Sequence, residues 1–215
     1  MELSSQNEEK LERNAVGGED AATNPRTIAL IHVDAPHALK ARPLYETLLA
    51  LNVKTKLLPI PGNHPKMLIN EEKSHVLVFV LAHGGRGLFG RRFVRNSEMQ
   101  RINIDGPAFE QNVSKLTMFV STCEGANSCP ERNSNRIAIY RPPEGLRANR
   151  AIFVHHAANC LNLHEDFIEN ICSELTSYNA PRLVEIASRI TQNLAGNEFA
   201  PPNLISNQDP NQPLF

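Results

Sequence analysis

His75-Val-Leu-Val-Phe-Val-Leu-Ala-His83-Gly84-Gly85 and, further on, Lys115-Leu-Thr-Met-Phe-Val-Ser-Thr-Cys123-Glu124-Gly125 decide how this chain folds. Each begins with a nearly unbroken apolar run, the pattern of a strand buried on both faces between two layers, so both are expected to be central parallel strands. Upstream, Thr27 to Val33, Leu39 to Leu51 and Val53 to Ile60 alternate β-rich and amphipathic character, which is the grammar of βαβ units. A further strand is expected at Arg136-Ile-Ala-Ile-Tyr140, after a loop rich in Asn, Ser, Glu and Pro. A helix from about Glu165 to Tyr178 would bury Phe167, Ile168, Ile171, Cys172 and Leu175. Another, with Pro181 near its first turn and Gly196 as its stop, would bury Leu183, Ile186, Ile190 and Leu194. A short strand at Asn203 to Ser206 closes the pattern, which is that of an α/β protein.

With 215 residues, 41% of them hydrophobic, the chain has enough apolar surface for one core and one domain. Residues 2–26 are almost free of large apolar side chains and are expected to be a disordered tail, so the domain spans 27–215. Twenty-two basic residues against 23 acidic ones leave a net charge of −1, which implies no attraction to nucleic acid or to an anionic membrane. No apolar run is long enough to span a bilayer, and Met1 to Arg26 lacks the features of a secretory signal, so a cytoplasmic location is expected. Cys123, Cys129, Cys160 and Cys172 are too sparse for a disulfide framework and are expected to be thiols.

In a parallel α/β sheet, ligands sit at the carboxyl ends of the strands, so the two quoted strands would deliver the imidazole of His83 and the thiol of Cys123 to one crevice. An imidazole activates a thiol by accepting its proton or stabilising the thiolate. Gly84 would let a backbone N–H approach a reacting carbonyl and, with the N–H of Cys123, form an oxyanion hole. Taken singly, His83 is equally a polar strand-end residue and Cys123 a small buried hydrophobe. His155, His156, Cys160 and His164 form a second group. In a helix His156, Cys160 and His164 would share a face at a spacing that suits zinc, but ordinary loop or core roles are the simpler reading, and no metal is assigned.

His83-Gly84 followed by Leu88-Phe89-Gly90, then a hydrophobic strand running into Ser121-Thr-Cys-Glu-Gly125, resembles the caspase family of cysteine peptidases. The 40-residue separation of His83 and Cys123 is close to the roughly 50 of the caspase signature. Ile139-Tyr140 through Glu144-Gly145 to Arg150 resembles the start of the family's small subunit. Phe167-Ile168 with Ile171-Cys172 resembles its helix, and Pro202 to Ser206 with Leu214-Phe215 resembles its closing strand and terminus.

The resemblance covers residues 27 to 215. It implies a three-layer α/β sandwich with a mostly parallel sheet of about six strands and helices on both faces. Residues 27–125 would match the large subunit, 126–136 the linker and 137–215 the small subunit. It implies His83 and Cys123 as the catalytic pair, the amides of Gly84 and Cys123 as oxyanion donors, and Arg150, Ser121 and Asn149 as substrate-binding residues. It further implies no cofactor, a protein or peptide substrate, dimerisation with a like chain or another caspase through the edge strand, and a role in apoptosis or related signalling.

Three departures accompany the resemblance. Val33-Asp34-Ala35-Pro36 passes almost directly into a helix where the family has a longer loop with a second pocket arginine. Ser121 and Asn149 replace a pocket glutamine and aromatic residue. Glu124 to Arg136 holds no aspartate for self-cleavage. The alternative is therefore a catalytically impaired homologue that dimerises with an active caspase and regulates it.

Overall fold

The computed structural model describes residues 27–62, 68–86, 92–104, 107–124, 149–157, 163–177, 181–194, 198–206, 208–209 and 212–214. The strands are β1 (Thr27–Val33), β2 (Lys54–Pro59), β3 (Asn70–Arg86), β4 (Arg92–Arg95), β5 (Arg101–Asn103), β6 (Asn112–Glu124), β7 (Arg150–Ala157) and β8 (Glu198–Ser206). The helices are α1 (Arg42–Ala50), α2 (Leu163–Ser177) and α3 (Leu183–Asn193). All eight strands join one sheet of order β2-β1-β3-β6-β7-β8, with β4 on β3 and β5 on β4. Strands β2, β1, β3, β6 and β7 run parallel, while β8 closes the edge antiparallel to β7. This is a mostly parallel α/β sheet.

Each central strand is apolar on both faces because each face meets a separate core. Leu77, Phe79, Leu81, Phe119 and Phe153 face the side that α1, α2 and α3 cover with Leu44, Leu48, Phe167, Ile171, Leu175, Ile186 and Ile190. An aromatic ladder crosses this side. Phe79 stacks on Phe119 at 5.2 Å, Phe119 meets Phe153 edge-on at 6.2 Å, and Phe153 stacks on Phe167 at 6.3 Å.

The opposite side buries Ile28, Leu30, Val76, Val78, Val80, Met118 and Val120. Among the described residues its cover is the β4–β5 arm and a 3₁₀ turn, Pro107–Phe109, which supply Val94, Ile102 and Phe109, where a helical layer was expected.

The helices at Leu163–Ser177 and Leu183–Asn193 match the expected periodic segments. The expected strand at 136–140 lies outside the described residues, as do the tail 1–26 and the linker 126–136. The strand Arg150–Ala157 pairs with β6, so His155 and His156 are strand residues, while Cys160 lies outside the described residues. β8 is longer than expected and includes Pro201 and Pro202, which an edge strand tolerates because, among the described residues, one row of its N–H groups has no partner strand. Among the described residues, no helix is long and apolar enough to cross a membrane.

Candidate active site

The strand order fixes where a site can form. From β1 the chain moves one way to β2, then returns to the other side of β1 for β3, β6 and β7, so the order reverses between β1 and β3. Connections that leave in opposite directions open a crevice at the carboxyl ends of those two strands.

That crevice holds a cluster. Asp34 directly follows β1, and its backbone N–H donates to the Leu81 carbonyl at 3.3 Å. Its Oδ2 accepts the backbone N–H of His83 at 2.9 Å, while Oδ1 is paired with Nδ1 of His37. His37 ends the 3₁₀ turn Ala35–His37, and its ring meets the His83 ring edge-on at 4.7 Å. Asp34 and His37 are buried, whereas His83 is exposed. Burial pushes the Asp34 carboxyl up, but the hydrogen bonds from His37 and the His83 amide, with the charges of both imidazoles, outweigh it and hold the carboxyl below its ordinary value.

Cys123 enters from the next strand. In the β3–β6 ladder it is the direct backbone partner of His83, and parallel strands stand roughly 4.8 Å apart. Three neighbouring strand ends thus carry Asp34, His83 and Cys123. Gly84 follows His83 and is paired with Val94 of β4 and Glu124 of β6. A Cβ there would stand 2.7 Å from the Phe93 carbonyl oxygen and 2.9 Å from Thr122 Cβ, so only glycine lets β4 and β6 close around this position.

The expected substrate-binding residues are not brought to this crevice. Arg150 begins β7 opposite Leu116, seven residues before Cys123; at about 3.3 Å per residue this is on the order of 23 Å away, toward the other end of the sheet. Its guanidinium donates from Nε and Nη2 to Glu110 Oε1 at 3.0 and 2.9 Å and approaches the Val113 carbonyl at 3.4 Å, so it ties β7 to the chain entering β6. Asn149 is beside it, exposed and in the left-handed region with φ 57°, and its carbonyl accepts from Gln208 Nε2 at 3.2 Å.

Ser121 is 0% exposed, and its hydroxyl meets Nδ1 of His155 at 3.2 Å. His155 stacks on Phe167 at 5.2 Å, and burial pushes its imidazole down to about 4, so it stays neutral. These are core contacts rather than the lining of an open pocket. Arg150 is placed at the far end because the strand beginning there follows on from Asn149, where sequence alone aligned it with a pocket loop.

Asp34 and His37 belong to none of the motifs legible in the sequence. The available signal was a carboxylate and an imidazole three residues apart, immediately after a strand end; what it lacked was the strand order that makes this end face His83.

No protein-family model matches the chain. Over 82 residues it is 29% identical to a GPI-anchor transamidase of Bos taurus; the match spans 36% of this chain and 20% of the transamidase. Among solved structures, that of drICE aligns over 86% of this chain and 89% of its own, with a TM-score of 0.48 and 15% sequence identity.

Proposed function

We propose that the chain is a caspase-like cysteine endopeptidase with His83 and Cys123 as its catalytic pair. The observation that carries this reading is the register of the two residues, direct partners on adjacent parallel strands at the carboxyl end of the sheet, next to the point where the strand order reverses. In this mechanism His83 accepts the thiol proton of Cys123. The thiolate adds to the peptide carbonyl carbon, and the amides of Gly84 and Cys123 stabilise the developing oxyanion. The C–N bond then breaks with the proton passing from His83 to the amine, leaving a thioester on Cys123. Water, deprotonated by His83, adds to that thioester and releases the acid and the thiol. Asp34 positions His83 through its backbone N–H and does not touch substrate. Pairing with a second caspase-like chain would use β8, the strand at the sheet edge, as the resemblance implies.

Arg150 supports a second reading. Held by Glu110 far from His83, it does not stand at the crevice where the resemblance implies a substrate-binding arginine. An impaired homologue that dimerises with an active caspase and regulates it would need no such pocket.

Turnover of a peptide library carrying every residue at the position before the cleaved bond, compared with Cys123→Ala, tests the two. Cleavage that disappears in Cys123→Ala supports the peptidase and reveals what the altered pocket prefers. Absence of cleavage by the folded, dimer-competent chain supports the regulator.

A further inference from the structure

Asp34, His37 and His83 offer one carboxylate oxygen and two imidazole nitrogens that all lie within 4.8 Å of one another. The set has the chemistry of a transition-metal site. Two imidazoles and one carboxylate suit zinc, whereas calcium and magnesium favour shells of oxygen. The carboxylate is also arranged as a metal ligand's is. Oδ1 faces the His37 Nδ1, while Oδ2 is occupied by the His83 backbone N–H at 2.9 Å, the outer hydrogen bond that fixes a ligating carboxylate. Two of the three residues are buried and held by the turn after β1, and the third is exposed, which gives an ion a rigid seat and an entry path.

We propose that Asp34, His37 and His83 bind one zinc ion at the carboxyl ends of β1 and β3. Three protein ligands leave the fourth tetrahedral position to water or to an incoming ligand. Zinc on His83 occupies the lone pair that the imidazole would otherwise offer the Cys123 thiol, so the bound ion and the thiol compete for one nitrogen. This regulatory consequence rests on the peptidase reading; the binding itself does not.

The test is zinc titration of the metal-free full chain against a chromophoric chelator, with His83→Ala, His37→Gln and Cys123→Ala alongside. His83 is exposed, so His83→Ala is expected to fold; circular dichroism checks each variant. One equivalent of zinc should bind the wild type, and affinity should fall by about tenfold or more in His83→Ala and His37→Gln. It should persist in Cys123→Ala. Zinc affinity and stoichiometry unchanged in a folded His83→Ala, or no uptake by the wild type, would overturn the proposal, the former by pointing to the other histidines and cysteines. A chain that binds zinc here but cleaves no peptide when metal-free would remove the peptidase reading and leave the zinc site standing.

Discussion

Asp34 Oδ2 accepts the backbone N–H of His83 at 2.9 Å, a hydrogen bond across 49 residues that fixes the end of β3 to the end of β1. The same carboxylate holds the His37 imidazole, so one side chain ties that ring to the backbone of His83. Replacing it with alanine leaves a strand-end amide and a buried imidazole without their acceptor, which costs about 1–3 kcal/mol. Asp34→Ala should show a lower denaturation midpoint and faster hydrogen exchange at the His83 amide, while Asp34→Asn, which keeps a carbonyl acceptor, should retain most of that protection. Unchanged exchange at His83 in Asp34→Ala would show that the strand end is held by other contacts.

Arg150 separates stability from substrate recognition. Because its guanidinium is occupied by Glu110 and the Val113 carbonyl, Arg150→Ala should lower stability by on the order of 2 kcal/mol. Glu110→Gln should lower it by less. Any KM for peptide should be unchanged once the variant is held at a temperature where it is folded. A raised KM with wild-type stability would return Arg150 to the substrate pocket.

Gly84→Ala places a methyl group against the Phe93 carbonyl and Thr122, neither of which is the far end of a flexible side chain. The expected result is a loss of about 1–3 kcal/mol from overpacking, with displacement of β4 visible as faster amide exchange over Phe93 and Val94. Wild-type stability in this variant would show that the β4 arm is not closely packed on β3.

Acid should weaken the fold through its buried histidines. Burial pushes His155 down to about 4; burial, with the Lys115 charge, pushes His75 down to about 3; and burial lowers His32 against a hydrogen bond to the Pro59 carbonyl. In the unfolded chain each takes a proton near pH 6.5, whereas the folded chain resists it. Stability is therefore full above that value and declines as pH falls toward the folded values. Between about pH 7.5 and 5.5 His155 and His75 each contribute a loss on the order of 1 kcal/mol, read as a shift in urea midpoint without a change in slope. A flat profile over this range would mean that these imidazoles are hydrated.

The sheet was legible because its central strands are apolar on both faces. Val76 through Ala82 and Leu116 through Val120 leave few alternatives to a two-sided burial, and the strand ends His83 and Cys123 follow directly. The helices were legible from Phe167, Ile171 and Leu175 and from Ile186 and Ile190, spaced to put one face on the core. β7 was not, because Arg150 and the histidine pair His155-His156 interrupt an otherwise apolar strand. Only the structure shows Arg150 neutralised by Glu110 and His155 packed on Phe167. The Asp34–His37 pair escaped notice for a related reason. Its significance depends on β3 lying beside β1, and adjacency of strands 49 residues apart is set by topology rather than by any local pattern.

The central claim is that His83 activates Cys123, and alkylation of Cys123 by iodoacetamide at neutral pH, followed by peptide mass spectrometry, measures it directly. Cys172 is the internal reference, a half-buried thiol that burial pushes up from its ordinary value. Cys123 should react about tenfold or more faster than Cys172, and His83→Ala should remove most of this advantage. A Cys123 rate that does not change in a folded His83→Ala would contradict it.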